Sequence, residues 1–320
     1  MENNQNNTDE FMTNEEIAMR QVQKPLSHAG GFAFSAAAVL FVVVASVFTI
    51  ITIVAGIEEN TDAYTYINYL AAPVAITAAV FITMKYKKIG FKSMFPLKCK
   101  PKYFLIAVLL IFGLLFFVGL IDAPVLEFFK LLGYKERGAD SYFPNVSGGW
   151  IVLALLVMAV MPAVFEEALF RGVILNTCEN SLGTIRTVCV VGFCFSLFHS
   201  SPEQTVYQFI AGCAFAYIAI HSGSILPSVF MHFLNNALIV ILRACNLFDE
   251  AGSLIMSQTA FIIVTVCAAL SFVGAIVWLV LDKKPLKKCQ KGAVKAFFLY
   301  ASVGIGILGL MWIMSFFFSG

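Results

Sequence analysis

Residues Trp150 to Leu175 read WIVLALLVMAVMPAVFEEALFRGVIL, an apolar run long enough to cross a bilayer that still carries Glu166, Glu167 and Arg171. About 20 consecutive apolar residues cross a hydrocarbon core of about 30 Å. A carboxylate there costs several kcal/mol on most scales, so an intramembrane acid marks a functional site by default. On a helix, Glu167 and Arg171 stand at i and i+4 with the acid on the N-terminal side. That is the favourable order for an ion pair on one face. Glu166 lies about 100° round the helix and is left free for chemistry. Pro162, one turn earlier, removes a backbone donor and predicts a kink that opens space for water beside the acids.

The rest of the chain fits a membrane setting. Of its 320 residues, 60% are hydrophobic and 12% charged, about half the charge supply of roughly 25% in a soluble domain. A net charge of +2 with no basic stripe gives no footprint for nucleic acid. None of the eight cysteines is paired as CxxC, and most lie in or beside apolar runs. They read as structural thiols, with no disulfide or zinc framework. The first 30 residues, rich in Asn, Glu and Gln, read as a disordered polar tail. They lack the basic start and cleavage pattern of a secretory signal, so the first span is expected to stay in the mature protein.

Apolar runs at roughly 32–56, 67–84, 103–121, 149–175, 183–201, 205–221, 223–243, 259–281 and 293–318 predict an all-α fold. The expected architecture is a polytopic transmembrane helical bundle of about eight to nine spans with an intramembrane active site. Residues 1–30 form a cytoplasmic tail and 31–320 the membrane domain. Lys85 to Lys102 and Lys283 to Lys295 bound strongly basic loops, whereas the loop with Glu58, Glu59 and Asp62 has neither Lys nor Arg. An odd count of nine with the N-terminus inside puts both basic loops in the cytoplasm. An interfacial amphipathic segment and a polar turn fit Asp122 to Gly148.

Two further spans supply His199, and His232 with Asn236 at i, i+4, with Asn235 adjacent. Together with Glu166 they offer a carboxylate, two imidazoles and an amide. That set suffices for a general base, proton donors and an oxyanion hole. Each histidine alone reads equally well as an interhelical contact; the joint pattern carries the signal. His221, at a span end, and His28, in the polar tail, are left out of it. One difficulty is geometric. Two full crossings would hold Glu166 and His199 near opposite faces, so Asn176 to Gly183 is expected to dip into the membrane and bring them together.

FEEALFRG (Phe165 to Gly172), FSLFH (Phe195 to His199) and HFLNN (His232 to Asn236) resemble the EExxxR, FxxxH and HxxxN motifs of the CPBP family. That family contains the type II CAAX prenyl endopeptidases and the bacterial Abi proteins linked to bacteriocin immunity. The resemblance covers a core of about 150–243. It implies an intramembrane endopeptidase in which Glu166 activates water and His199 helps orient or protonate it. His232 and Asn236 would stabilise the oxyanion, and Glu167 and Arg171 would support the site. The implied substrate is a membrane-embedded or lipid-anchored peptide or protein, and the implied location is the bacterial plasma membrane. Members are described both as metalloproteases and as glutamate-type peptidases. No HExxH is present, so metal-independent water activation is the reading adopted. Zn2+ stays open, with Glu166, His199 and His232 as its ligands. Two other readings are a non-catalytic immunity or binding protein and a proton-coupled transporter. His232 with Asn236 argues against the latter, since a proton relay needs no oxyanion hole.

Overall fold

The computed structural model describes residues 26–59, 61–135, 143–248 and 254–318. Nine main helices follow in chain order: α1 Ser27–Val54, α2 Asp62–Lys87, α3 Lys102–Leu131, α4 Trp150–Leu182, α5 Thr184–His199, α6 Thr205–Ser222, α7 Leu226–Ala244, α8 Gln258–Leu281 and α9 Ala293–Phe318. Eight of them are long and apolar enough to cross a membrane; α5 is the exception. Its 16 residues reach only about 24 Å, short of a hydrocarbon core of about 30 Å. The described residues hold a single isolated β-bridge, Phe248 with Leu254. This is a polytopic all-α membrane protein.

Polarity is arranged as a bilayer demands. Long apolar side chains such as Ile53, Phe81, Leu270 and Leu299 face outward, while Glu167, Arg171 and His232 are buried inside. Small residues bring the first and last helices together. A Cβ on Gly31 would meet the Phe297 carbonyl at 2.3 Å, and one on Gly304 would meet Ser35 Cα at 2.9 Å. The hydroxyl of Ser35 donates to the Tyr300 carbonyl (2.7 Å) and accepts from the Gly304 amide (3.0 Å). Close backbone approach and interhelical hydrogen bonds replace the hydrophobic drive that lipid cannot supply. One apolar cluster joins α1, α2, α4, α5 and α9 and a second joins α3, α7 and α8, with α6 contributing to both.

Four expectations are corrected. The tail expected over residues 1–30 falls outside the described residues only as far as residue 25; Ser27 to Gly30 are already helical, and His28 packs on Tyr300. The third span does not stop at 121, because α3 runs on to Leu131 and makes a helix of the first part of the expected loop. Residues 136–142 of that loop are outside the described set.

The last two corrections concern α4, which ends at Leu182 rather than at 175. Asn176 to Leu182 is helix, not irregular backbone dipping into the membrane. The apolar run ends at 175, but the polar residues after it are satisfied by their own helix. Thr177 Oγ1 donates to the Val173 carbonyl (2.8 Å), and Asn176 Nδ2 to those of Arg171 (2.9 Å) and Gly172 (2.8 Å). A single residue, Gly183 at φ +77°, then turns the chain into α5. Glu166 and His199 thus lie seventeen and sixteen residues from the turn on two antiparallel arms. At 1.5 Å per residue both are about 25 Å from it, so the hairpin itself sets them level.

Both basic loops lie at one end of the bundle. Lys102 pairs with Asp282 (2.5 Å), Lys284 Nζ donates to the Ile220 carbonyl, and the Pro96 carbonyl accepts from Ile225 N and Ser224 Oγ (3.0 Å each). Cysteine-labelling reporters in the Lys85–Lys102 and Lys283–Lys295 loops are expected to react only from the cytoplasmic side. Reaction of both from outside would invert the topology.

Candidate active site

Glu166 and Glu167 sit midway along α4, in seven residues of α-helix flanked by two π-helical stretches, Leu155–Val160 and Ala168–Leu175. Proline is one reason for the register change. Pro162 has no N–H to give the Met158 carbonyl, and Asn236 Nδ2 on α7 donates to that carbonyl instead (3.0 Å). The effect of Pro162 seen here is not the one expected, a kink that admits water, but a freed acceptor that anchors the α7 amide.

Glu167 is fully buried and accepts from Arg171 Nη1 at 2.6 Å, the ion pair expected from the i, i+4 spacing. Arg171 Nη2 donates to the Gly212 carbonyl (2.9 Å), and its guanidinium lies over the rings of Phe195 (4.7 Å) and Phe215 (5.1 Å). That reach needs α5 and α6 to touch. A Cβ on Gly212 would meet Gly192 Cα at 2.9 Å, so glycine is required there. The same Glu167 Oε1 accepts from His232 Nδ1 (3.0 Å). A carboxylate already paired to arginine can only accept, so Nδ1 carries the proton and His232 Nε2 is left for the cavity.

His199 is held in the same way. Its Nδ1 donates to the Phe195 carbonyl (2.8 Å), which again leaves Nε2 free. The helix ends there because Ser200 takes a left-handed conformation (φ 48°). Phe195 therefore has two tasks: its carbonyl fixes the tautomer of His199, and its ring, 5.7 Å from that of His232, covers Arg171.

Glu166 differs from its neighbour. Among the described residues it has no ion-pair partner and it lines the cavity; its Oε2, like that of Glu167, is buried with no hydrogen-bond partner in the protein, and it lies within electrostatic range of His199 and Arg171. Glu166, His199, His232 and Asn236 all line one cavity of about 920 Å³.

Sequence reading missed the support behind Asn236. Tyr207 OH on α6 donates to Asn235 Oδ1 (2.5 Å), Asn235 Nδ2 donates to Asn236 Oδ1 (3.0 Å), and Asp122 Oδ1 accepts from the Tyr207 amide (3.0 Å). This chain fixes which way the Asn236 amide faces and leaves one Nδ2 hydrogen available. Asn235 was visible beside the motif, but nothing in the sequence paired it with Tyr207.

Among the described residues, no three of His, Cys, Asp and Glu gather as a set that could hold a metal ion. Glu166, His199 and His232 share the cavity without meeting that condition, so no catalytic step is routed through zinc.

The fold and this site define a helical membrane protein with a buried carboxylate–imidazole centre. Residues 148–238 match the family model described as "Type II CAAX prenyl endopeptidase Rce1-like", and all six site residues fall within that stretch. Residues 148–238 therefore carry an Rce1-like domain, in agreement with the CPBP resemblance, and this supports a CAAX-type intramembrane protease at family level. No curated protein and no solved structure matches the chain.

Proposed function

We propose that this chain is an endopeptidase that hydrolyses a peptide bond of a membrane-embedded or lipid-anchored substrate, with Glu166 activating the water. The observation that carries this reading is the buried, unpartnered Glu166 Oε2 in the cavity that two Nδ1-anchored histidines also line. A water between Glu166 and His199 gives one hydrogen to the carboxylate and directs the other at His199 Nε2. Its oxygen is then free to attack the carbonyl carbon. The carbonyl oxygen becomes negative as the new C–O bond forms, and the free Nδ2 hydrogen of Asn236 meets it. His232 Nε2, left facing the cavity by the Nδ1 contact with Glu167, supplies the second donor when it carries a proton. Collapse breaks the C–N bond, and Glu166 returns its proton to the departing amine. The expected location is the bacterial plasma membrane.

Removing one oxyanion donor typically costs about 100-fold or more. Asn236→Ala and His232→Ala are each expected to lose at least that in kcat. Tyr207→Phe and Asn235→Ala act only through Asn236, so each is expected to lower kcat about tenfold with KM unchanged. Neither loss should add to that of Asn236→Ala in the double variants. Full additivity would show that Tyr207 and Asn235 act elsewhere.

Phenanthroline-type chelators are expected to leave the rate within about twofold, as metal-free water activation requires. Loss on chelation, restored by zinc, would replace that step and leave the site residues in place.

A further inference from the structure

We propose that the concavity between the α4–α5 turn and the α8–α9 loop binds the headgroup of an anionic phospholipid. It has a volume of about 1240 Å³ and brings five cations to one place: Arg186, Lys287, Lys288, Lys291 and Lys295. Its lining includes no aspartate or glutamate. Among the described residues only Lys287 of the five has an ion-pair partner, Glu179 at 2.9 Å. Like charges gathered this closely repel one another until an anion enters.

The other half of the argument is apolar. Ile185 (55% exposed), Leu286 (58%) and Val294 (38%) line the same concavity. A free phosphate has no use for that surface, whereas a phospholipid places its phosphodiester on the cations and its glycerol and upper acyl carbons on those side chains. The position fits too, since the concavity lies at the end of the bundle where α4 and α8 stop and α5 and α9 begin.

The walls are fixed rather than fluid. Thr184 N donates to the Lys287 carbonyl (3.2 Å), Lys287 N to Thr184 Oγ1 (2.9 Å) and Gln290 N to the Ser181 carbonyl (2.8 Å). A Cβ on Gly183 would meet the Lys287 carbonyl at 2.6 Å, so the turn seats against the loop without a gap. Such preorganisation lowers the cost of binding. The second basic loop provides the contrast. There Lys102 is paired with Asp282, and Lys87 lies over the rings of Phe32, Tyr86 and Tyr300.

The test uses the purified full-length chain in uncharged detergent, titrated with dioctanoyl phosphatidylglycerol, dioctanoyl phosphatidylcholine or inorganic phosphate. The anionic lipid is expected to bind at least about tenfold more tightly than either of the others. Arg186→Gln/Lys288→Gln is expected to lose about tenfold or more, at roughly fivefold per cation near a lipid surface. Lys88→Gln/Lys92→Gln, with the same change in net charge, is expected to lose less than twofold. The single variants Arg186→Gln and Lys288→Gln are each expected to lose about fivefold, which decides the matter should the pair fold poorly. Equal binding of the two lipids, inorganic phosphate binding as tightly as the anionic lipid, or equal losses in the two double variants would each overturn the proposal.

Discussion

Glu166→Gln is expected to lower the cleavage rate by about 1000-fold or more while the melting temperature in detergent stays within about 2 °C of native. Glutamine keeps the size and loses the base. A positioned general base contributes on the order of 100- to 10,000-fold. Little stability is at stake, because Glu166 Oε2 has no protein partner to strand. A neutral amide in that position also removes a buried carboxylate, which relieves desolvation and offsets any lost attraction to Arg171. Rate and stability thus separate at this residue, and kinetics beside a thermal melt will show it. A variant that cleaved at the native rate would remove Glu166 from the mechanism.

Glu167→Gln is expected to do the reverse in kind: a large loss of stability, with loss of activity following from it. Arg171 is buried and its Nη1 is held by Glu167 at 2.6 Å. Breaking a buried pair by removing one partner costs about 3–5 kcal/mol, because the other charge stays behind uncompensated. The change also weakens the hold on His232, whose Nδ1 then meets a neutral amide oxygen in place of the carboxylate. Detergent melts of the two variants should therefore order as native close to Glu166→Gln and well above Glu167→Gln. The opposite order would exchange the roles assigned to the two glutamates. Removing Glu167 and Arg171 together is expected to be less harmful than removing Glu167 alone, since no buried charge is then stranded.

Much of this site was legible in the chain because its signals are local. The Glu167–Arg171 pair follows from one helical turn, and the three motifs lie within apolar runs where any polar residue stands out. What could not be read was fixed by other elements. Hydropathy marks where apolar residues stop, not where a helix ends. Asn176 and Thr177 look like a loop, yet their side chains return to carbonyls of the turn before them. That misplaced boundary alone created the apparent gap between Glu166 and His199, and the extra turns to Leu182 close it. The π-helical stretches leave no periodic mark in so uniformly apolar a segment. The Tyr207–Asn235–Asn236 relay joins α6 to α7, and no spacing within either helix reports it. His232 was read only as a partner of Asn236, one helical turn away. Glu167 holds its Nδ1, and this makes the second glutamate a positioning group for the proposed oxyanion donors as well as an ion-pair partner.

Terminal-peptide proteomics of membranes from cells carrying the native chain or Glu166→Ala, at matched expression, tests the proteolytic reading most directly. At least one new peptide terminus from a membrane-associated protein is expected with the native chain, together with accumulation of its uncut precursor in the Glu166→Ala cells. The same termini in the same amounts from both would contradict peptide-bond hydrolysis by Glu166-activated water.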